Sequence, residues 1–164
     1  MPNDANWIRA GYGAQAQVMR NLVSGHSYSG PESVAGGILV VGGPLYNGAP
    51  YTTGTEIVGN ILLDNDVGVW LSNTTHDFMA PLTATNIEVV NNLTNSSGLR
   101  NGWTGNPPLV GYQVGVLDVG NNDKIIANTI SGPGYDPAAN PGAFTVHIRA
   151  DPLLTNRPKV HANE

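Results

Sequence analysis

Cysteine is absent from this 164-residue chain. That excludes a disulfide framework, a thiolate metal site and a cysteine nucleophile. Charge is scarce: Asp, Glu, Lys and Arg make up 12% of the residues, about half the roughly 25% of ordinary globular domains. Lys and Arg number seven and are scattered, so no basic patch for nucleic acid forms. No apolar run approaches the roughly 18 residues of a membrane span. Met1-Pro2-Asn3-Asp4 is not a basic segment leading into an apolar stretch, so no signal peptide is expected here.

The chain is rich instead in turn formers, with 21 glycines, 12 prolines and 19 asparagines. These are poor residues for helix interiors, which argues against a helical bundle. Val, Ile and Leu are plentiful and the net charge is only −5, which argues against plain disorder. The length suits one domain, 1–164, able to bury a moderate core. Low charge with much Asn, Gly and Thr is the composition of bacterial secreted or surface proteins. An extracellular or cell-surface location is therefore expected.

One short pattern recurs: an apolar residue, two variable positions, Asn, then a second apolar stretch. It reads Val18-Met19-Arg20-Asn21-Leu22-Val23, then Ile57-Val58-Gly59-Asn60-Ile61-Leu62. It returns as Val89-Val90-Asn91-Asn92-Leu93 and Ile125-Ile126-Ala127-Asn128-Thr129-Ile130, and ends truncated at Val160-His161-Ala162-Asn163. The Asn residues are 39, 32, 36 and 35 positions apart. A β-branched run on each side of Asn predicts strand, sharp turn, strand. Asn is expected to supply the left-handed backbone of that turn. Between the Asn copies lies a third strand, often led by Gly: Gly37-Ile38-Leu39-Val40-Val41, Gly68-Val69-Trp70-Leu71, Gly115-Val116-Leu117-Asp118-Val119 and Phe144-Thr145-Val146-His147-Ile148. No stretch carries a helical period.

Three short strands repeating every 32 to 39 residues resemble the right-handed parallel β-helix of pectate-lyase-like and NosD-like repeat proteins. The resemblance covers about residues 5–163 and rests on pattern, not on a family signature. It implies an all-β solenoid of four to five coils with long loops and little or no helix. It also implies that Asn21, Asn60, Asn92, Asn128 and Asn163 stack from coil to coil and hydrogen-bond along the ladder. Ile8-Arg9-Ala10 matches Ile148-Arg149-Ala150, so the sequence is expected to begin and end mid-coil. Open ends of that kind raise the expectation of end-to-end self-association.

Long loops are expected at 24–36, 95–113, 131–142, 42–54 and 72–84, with tight turns at 64–66 and 120–123. Binding function usually sits on such loops. Placing Ile8, Val40, Leu71, Val119 and Ile148 inward turns Trp7, Leu39, Trp70, Asp118 and His147 outward in one row. A second outward row holds Arg9, Val41, Ser72, Gly120 and Arg149. Trp7, Trp70, Tyr112 and Tyr135 are the candidate sugar-stacking aromatics. Asp118, His147 and Arg149 form a candidate catalytic trio, suited to general acid–base work on a uronate polymer whose carboxylate the guanidinium would bind. A one-residue slip of the third Gly-led strand would turn Asp118 inward instead.

Other chemistry has less support. Asp64 and Asp66 could meet the carboxylate spacing of a glycosidase, or form an ordinary Asx turn. Asp64-Asn65-Asp66 and Asn121-Asn122-Asp123 offer oxygen ligands for Ca²⁺, although the EF-hand pattern is missing. No other metal or cofactor is expected: His26, His76, His147 and His161 show no ligand spacing, and no Met/His cluster suits the copper associated with NosD-like proteins. The paired Asp and Gly-His-Gly segments of polygalacturonases are absent, as is the Asp-Pro-His-Asp of alginate epimerases. The balance favours a non-catalytic module of a secreted or surface protein, binding polysaccharide or serving as an assembly unit. The alternative is a segment of a polysaccharide lyase, hydrolase or epimerase.

Overall fold

The computed structural model describes residues 8–28, 34–101, 111–150 and 158–164. Each coil of the chain contributes one strand to each of three parallel sheets. The first coil comprises β1 (Ile8–Gly11), β2 (Gln17–Met19) and β3 (Leu22–Ser24). The second comprises β4 (Gly36–Gly42), β5 (Glu56–Val58) and β6 (Ile61–Leu63). The third has β7 (Val67–Asn73), β8 (Glu88–Val90) and β9 (Leu93–Asn95). The fourth has β10 (Tyr112–Val119), β11 (Lys124–Ile126) and β12 (Thr129–Ser131). β13 (Phe144–Arg149) and β14 (Lys159–His161) start a further coil. The first sheet runs β1-β4-β7-β10-β13, the second β2-β5-β8-β11-β14, the third β3-β6-β9-β12. The chain is thus a parallel β-solenoid of about four turns, as the repeat predicts. A single 3₁₀ turn, Pro133–Tyr135, is the one helical element among the described residues.

The three-residue strands of the second and third sheets, apart from the fully exposed end strand β14, bury only their central residue. That alternation gives one inward column per sheet: Val18, Ile57, Val89 and Ile125 in the second, and Val23, Leu62, Thr94 and Ile130 in the third. The first sheet adds two columns. Ile8, Ile38, Val69, Val116 and Ile148 form one, which puts the matched Ile8-Arg9 and Ile148-Arg149 in equivalent places. Ala10, Val40, Leu71 and Asp118 form the other.

The asparagine ladder is the most regular feature of the fold. Asn60 Oδ1 accepts from both the backbone N–H and the side-chain amide of Asn21, each at 2.9 Å. Asn92 Oδ1 accepts the same pair from Asn60 at 2.9 Å, and Asn128 Oδ1 from Asn92 at 2.9 Å. Asn163 closes the series on Asn128 at 3.0 Å. Each amide nitrogen of the second to fifth members also reaches back to a carbonyl of the preceding coil, on Val18, Ile57, Val89 or Ile125. One side chain therefore serves backbone groups that a sharp corner would otherwise bury without partners. The left-handed residue, however, is the one before the ladder Asn: Arg20, Gly59, Asn91, Ala127 and Ala162 have φ between 53° and 65°. The ladder Asn is needed for its amide, not for its tolerance of positive φ.

Glycine has a different task in the first sheet. A Cβ on Gly68 would lie 2.5 Å from Gly115 O, and one on Gly115 would lie 2.5 Å from His147 O. Both would also strike the third sheet, at Thr94 and Ile130. The bend that joins the first sheet to the third therefore leaves no room for a side chain. Gly115→Ala is expected to cost about 1–3 kcal/mol through overpacking. Gly98→Ala, with nothing within 4 Å of the added carbon, should leave the urea midpoint nearly unmoved. Equal shifts for the two variants would refute this account of the bend.

Candidate functional site

The outer face of the first sheet gathers the aromatic and guanidinium groups. Pairing places Arg9, Leu39, Trp70, Leu117 and Arg149 in one outward row. Tyr112 pairs with Phe144, and Val114 with both Val67 and Val146. Together these residues form an apolar cluster outside the solenoid core, with Val67 and Val114 buried and Trp70, Tyr112, Phe144 and Val146 packed at its margin. Tyr112 and Phe144 stack with ring centroids 4.9 Å apart. The Arg149 guanidinium lies over the Phe144 ring at 4.7 Å and donates to the Tyr112 hydroxyl at 3.0 Å. Burial raises the Tyr112 phenol above its usual value, and the Arg149 charge partly offsets this. Trp70 lies two coils from Arg149 along the row, about 10 Å at the spacing of adjacent strands. A flat aromatic edge beside a fixed guanidinium can take an apolar ring face and an anionic or hydroxyl group together.

The register differs from the sequence expectation in one respect that matters. Asp118 pairs with Leu71, not Trp70, and is buried inside the solenoid. Leu117 instead takes the outward place expected of Asp118, pairing with Trp70 and Arg149. Asp118 and Arg149 are therefore on opposite sides of the sheet. Gly120 also leaves the outward row, where Val119 pairs with Ser72, and Arg9 and Arg149 move into the row of Trp70. His147 is exposed at the bend column that holds Gly115 in the preceding coil, and its ring faces Tyr135 at 6.1 Å. The candidate trio is thus not assembled. Tyr135, expected as a surface aromatic, is fully buried in the core. Trp7 lies outside the described residues. Phe144 was missed as a candidate, although its place one residue before an inward Thr145 made it legible once β13 was set in register.

Asp118 has a physical reason to be inside. Its neighbour is Asp123, whose Oδ1 accepts 2.7 Å bonds from the Thr85 hydroxyl and the Ile87 N–H. Burial, and then the charge and hydrogen bond of Asp123, push the Asp118 carboxyl up to about 9. Asp118 accordingly carries a proton at neutral pH and donates it to Asp123. Asp123 is itself raised by burial, with its own hydrogen bonds opposing the shift. The two acids act as one hydrogen-bonded unit that lets an acid occupy a column otherwise filled by Ala10, Val40 and Leu71.

The two candidate oxygen clusters are committed to loop geometry. Asp64 Oδ1 accepts from Ser97 N–H at 2.8 Å, and Arg100 lies 3.2 Å from Oδ2. The Ser97 bond chiefly holds this carboxyl below its usual value. Asn65 Oδ1 accepts from His26 N–H. Asp66 Oδ2 accepts the N–H groups of Tyr28 and Ala35 at 2.8 and 2.9 Å, which joins the two ends of the loop before β4. Burial raises Asp66, while these bonds pull it down. Asn121 binds the carbonyls of Pro81 and Leu82 through its amide, and Asn122 binds Asn86. Among the described residues no group of three or more His, Asp or Glu is placed to hold a metal ion. No helix there is long and apolar enough to cross a membrane.

Compared with known proteins, the chain matches no family model, no curated protein and no solved structure. The fold class, a parallel β-solenoid, rests on the strand pairing alone.

Proposed function

We propose that the chain is a non-catalytic β-solenoid module of a secreted or surface protein that binds polysaccharide on the outer face of its first sheet. The observation that carries this reading is the fixed array of Trp70, Tyr112, Phe144 and Arg149 on neighbouring coils. Rigid aromatics on a repeating scaffold suit a repeating ligand, because stacking needs flat faces held in place rather than induced. Arg149 favours a polymer with acidic groups, which a guanidinium binds bidentately. The pectate-lyase-like or NosD-like kinship belongs to this proposal, as does the extracellular location that the low-charge composition favours. No calcium or other cofactor enters the proposed binding. The paired carboxylates Asp118 and Asp123 lie inside the coil, where a polymer chain has no access, which supports binding over hydrolysis.

The test is affinity gel electrophoresis against neutral and acidic polysaccharides, with the gels stained afterwards for polymer loss. Retardation in acidic lanes without clearing is the expected result. Trp70→Ala and Arg149→Gln should each weaken retardation about tenfold or more, the effect of losing a central contact. Clearing in any lane would replace this reading with the lyase, hydrolase or epimerase alternative. No retardation in any lane would end the polysaccharide reading.

A further inference from the structure

The outer face of the second sheet carries two rows that run along the solenoid axis. In the first row, Glu56, Glu88, Lys124 and Lys159 are register partners on four successive coils. The acidic pair and the basic pair are thus segregated, two coils each. Lys124 already forms an ion pair with Glu88 across the boundary. In the second row, Met19, Val58, Val90, Ile126 and His161 are partners on five successive coils, so the apolar stretch starts one coil before the charged one. They point outward, opposite to the buried central residue of each strand; Val58, Val90 and Ile126 are half-buried and Met19 at the end of the row is exposed. An apolar row of this regularity beside a charge gradient is more than scattered surface hydrophobicity.

We infer that this face is a homodimer interface, in which a second copy of the chain packs on it about a two-fold axis parallel to the strands. The charge order selects both the occupant and the symmetry. Such an axis keeps strand direction and reverses coil order. Passing between β8 and β11, it sets Glu88 against the partner's Lys124 and Glu56 against the partner's Lys159. The same operation sets Val90 against the partner's Ile126 and Val58 against the partner's His161, while Met19 lies beyond the shared strands. A two-fold axis along the solenoid would instead oppose Glu to Glu and Lys to Lys. An isologous interface needs a self-complementary patch, and a row ordered acid, acid, base, base supplies one. Facing sheets pack about 10 Å apart, within reach of Glu and Lys side chains from both sides. This inference stands apart from the polysaccharide reading, which uses the first sheet.

Sedimentation velocity and light scattering over a concentration series test it. The strands of this face are short and the patch is smaller than the roughly 1,600 Å² of a standard interface, so association should appear at about 10–100 µM. It should weaken as salt rises, because the pairs at its rim are exposed. Glu56→Lys and Lys159→Glu should each reduce association about tenfold, and the double variant Glu56→Lys/Lys159→Glu should restore it. Val90→Arg should abolish it with the melting temperature unchanged. A wild-type monomer at about 1 mM, well above the range expected of a weak interface, would overturn the proposal. So would an oligomer indifferent to Val90→Arg and to charge reversal, the behaviour of end-to-end stacking.

Discussion

Asn92→Ala is expected to lower the unfolding free energy by about 3 kcal/mol or more, against about 1 kcal/mol or less for Asn21→Ala. The two residues share a column and differ in how much depends on them. Asn92 Oδ1 accepts two bonds from Asn60, and its amide donates to Ile57 O and to Asn128. Removing it leaves the Asn60 N–H and one of the two Asn60 amide hydrogens buried without an acceptor, the other amide hydrogen keeping Val18 O, which costs their desolvation. Asn21 donates to Asn60 and to its own strand at Met19, and it is half-buried at the first coil. Its loss leaves fewer orphans, and water can reach them. Asn92→Asp should cost at least as much as the alanine, because an oxygen would then face Ile57 O and Asn128 Oδ1. Urea unfolding midpoints for the three variants measure this. Equal costs for Asn92→Ala and Asn21→Ala would mean that the ladder is not where the corner's stability lies.

The second large effect is a stability that falls as pH rises, on account of Asp118. Its carboxyl is pushed up to about 9 in the folded chain, against the ordinary value of about 4 expected when unfolded. The folded state therefore binds more protons than the unfolded state between those values. The stabilisation from this group is complete below about pH 4 and is lost as pH rises through about 9. Asp118→Asn should remove that dependence. An amide keeps the volume and can donate to Asp123 as the protonated acid does, but it does not titrate. Wild type and variant should have similar midpoints at about pH 4 and diverge progressively above it, the variant being clearly more stable at about pH 9–10. Asp118→Ala should be less stable than Asp118→Asn at every pH, since it leaves a void and takes from Asp123 one of its hydrogen-bond donors. Parallel pH profiles for wild type and Asp118→Asn would show that the proton does not reside in this pair.

Much of the fold was legible because the solenoid repeats its own signals. The ladder positions could be read directly, since an amide that must serve the coil before and the coil after leaves a spaced Asn in every copy. The three-strand coil followed from apolar runs on each side of those residues. Register in the first sheet was less legible. Hydrophobic-inside reasoning put Val119 in the inward column and Asp118 outside, because an isolated acid in a core is costly. The glycines contained the right answer. Gly37, Gly68 and Gly115 occupy one bend column, and aligning them places Asp118 beside Leu71. That signal was obscured because Gly also marks turns throughout this chain.

The sequence by itself determined the class of protein: a cysteine-free, low-charge, turn-rich chain whose Asn spacing admits only short strands coiled on one another. Local chemistry sufficed, because backbone groups at every corner needed the same amide partner. Only the tertiary structure decided which side chains meet. It brought Asp118 to Asp123 and laid Arg149 over Phe144. It also buried Tyr135 and lined up Glu56, Glu88, Lys124 and Lys159. The row of Glu and Lys depends on single-residue register between coils more than 30 positions apart in the chain. A slip of one residue exchanges inside for outside, and it is the tight fit of the glycine bends that holds the register.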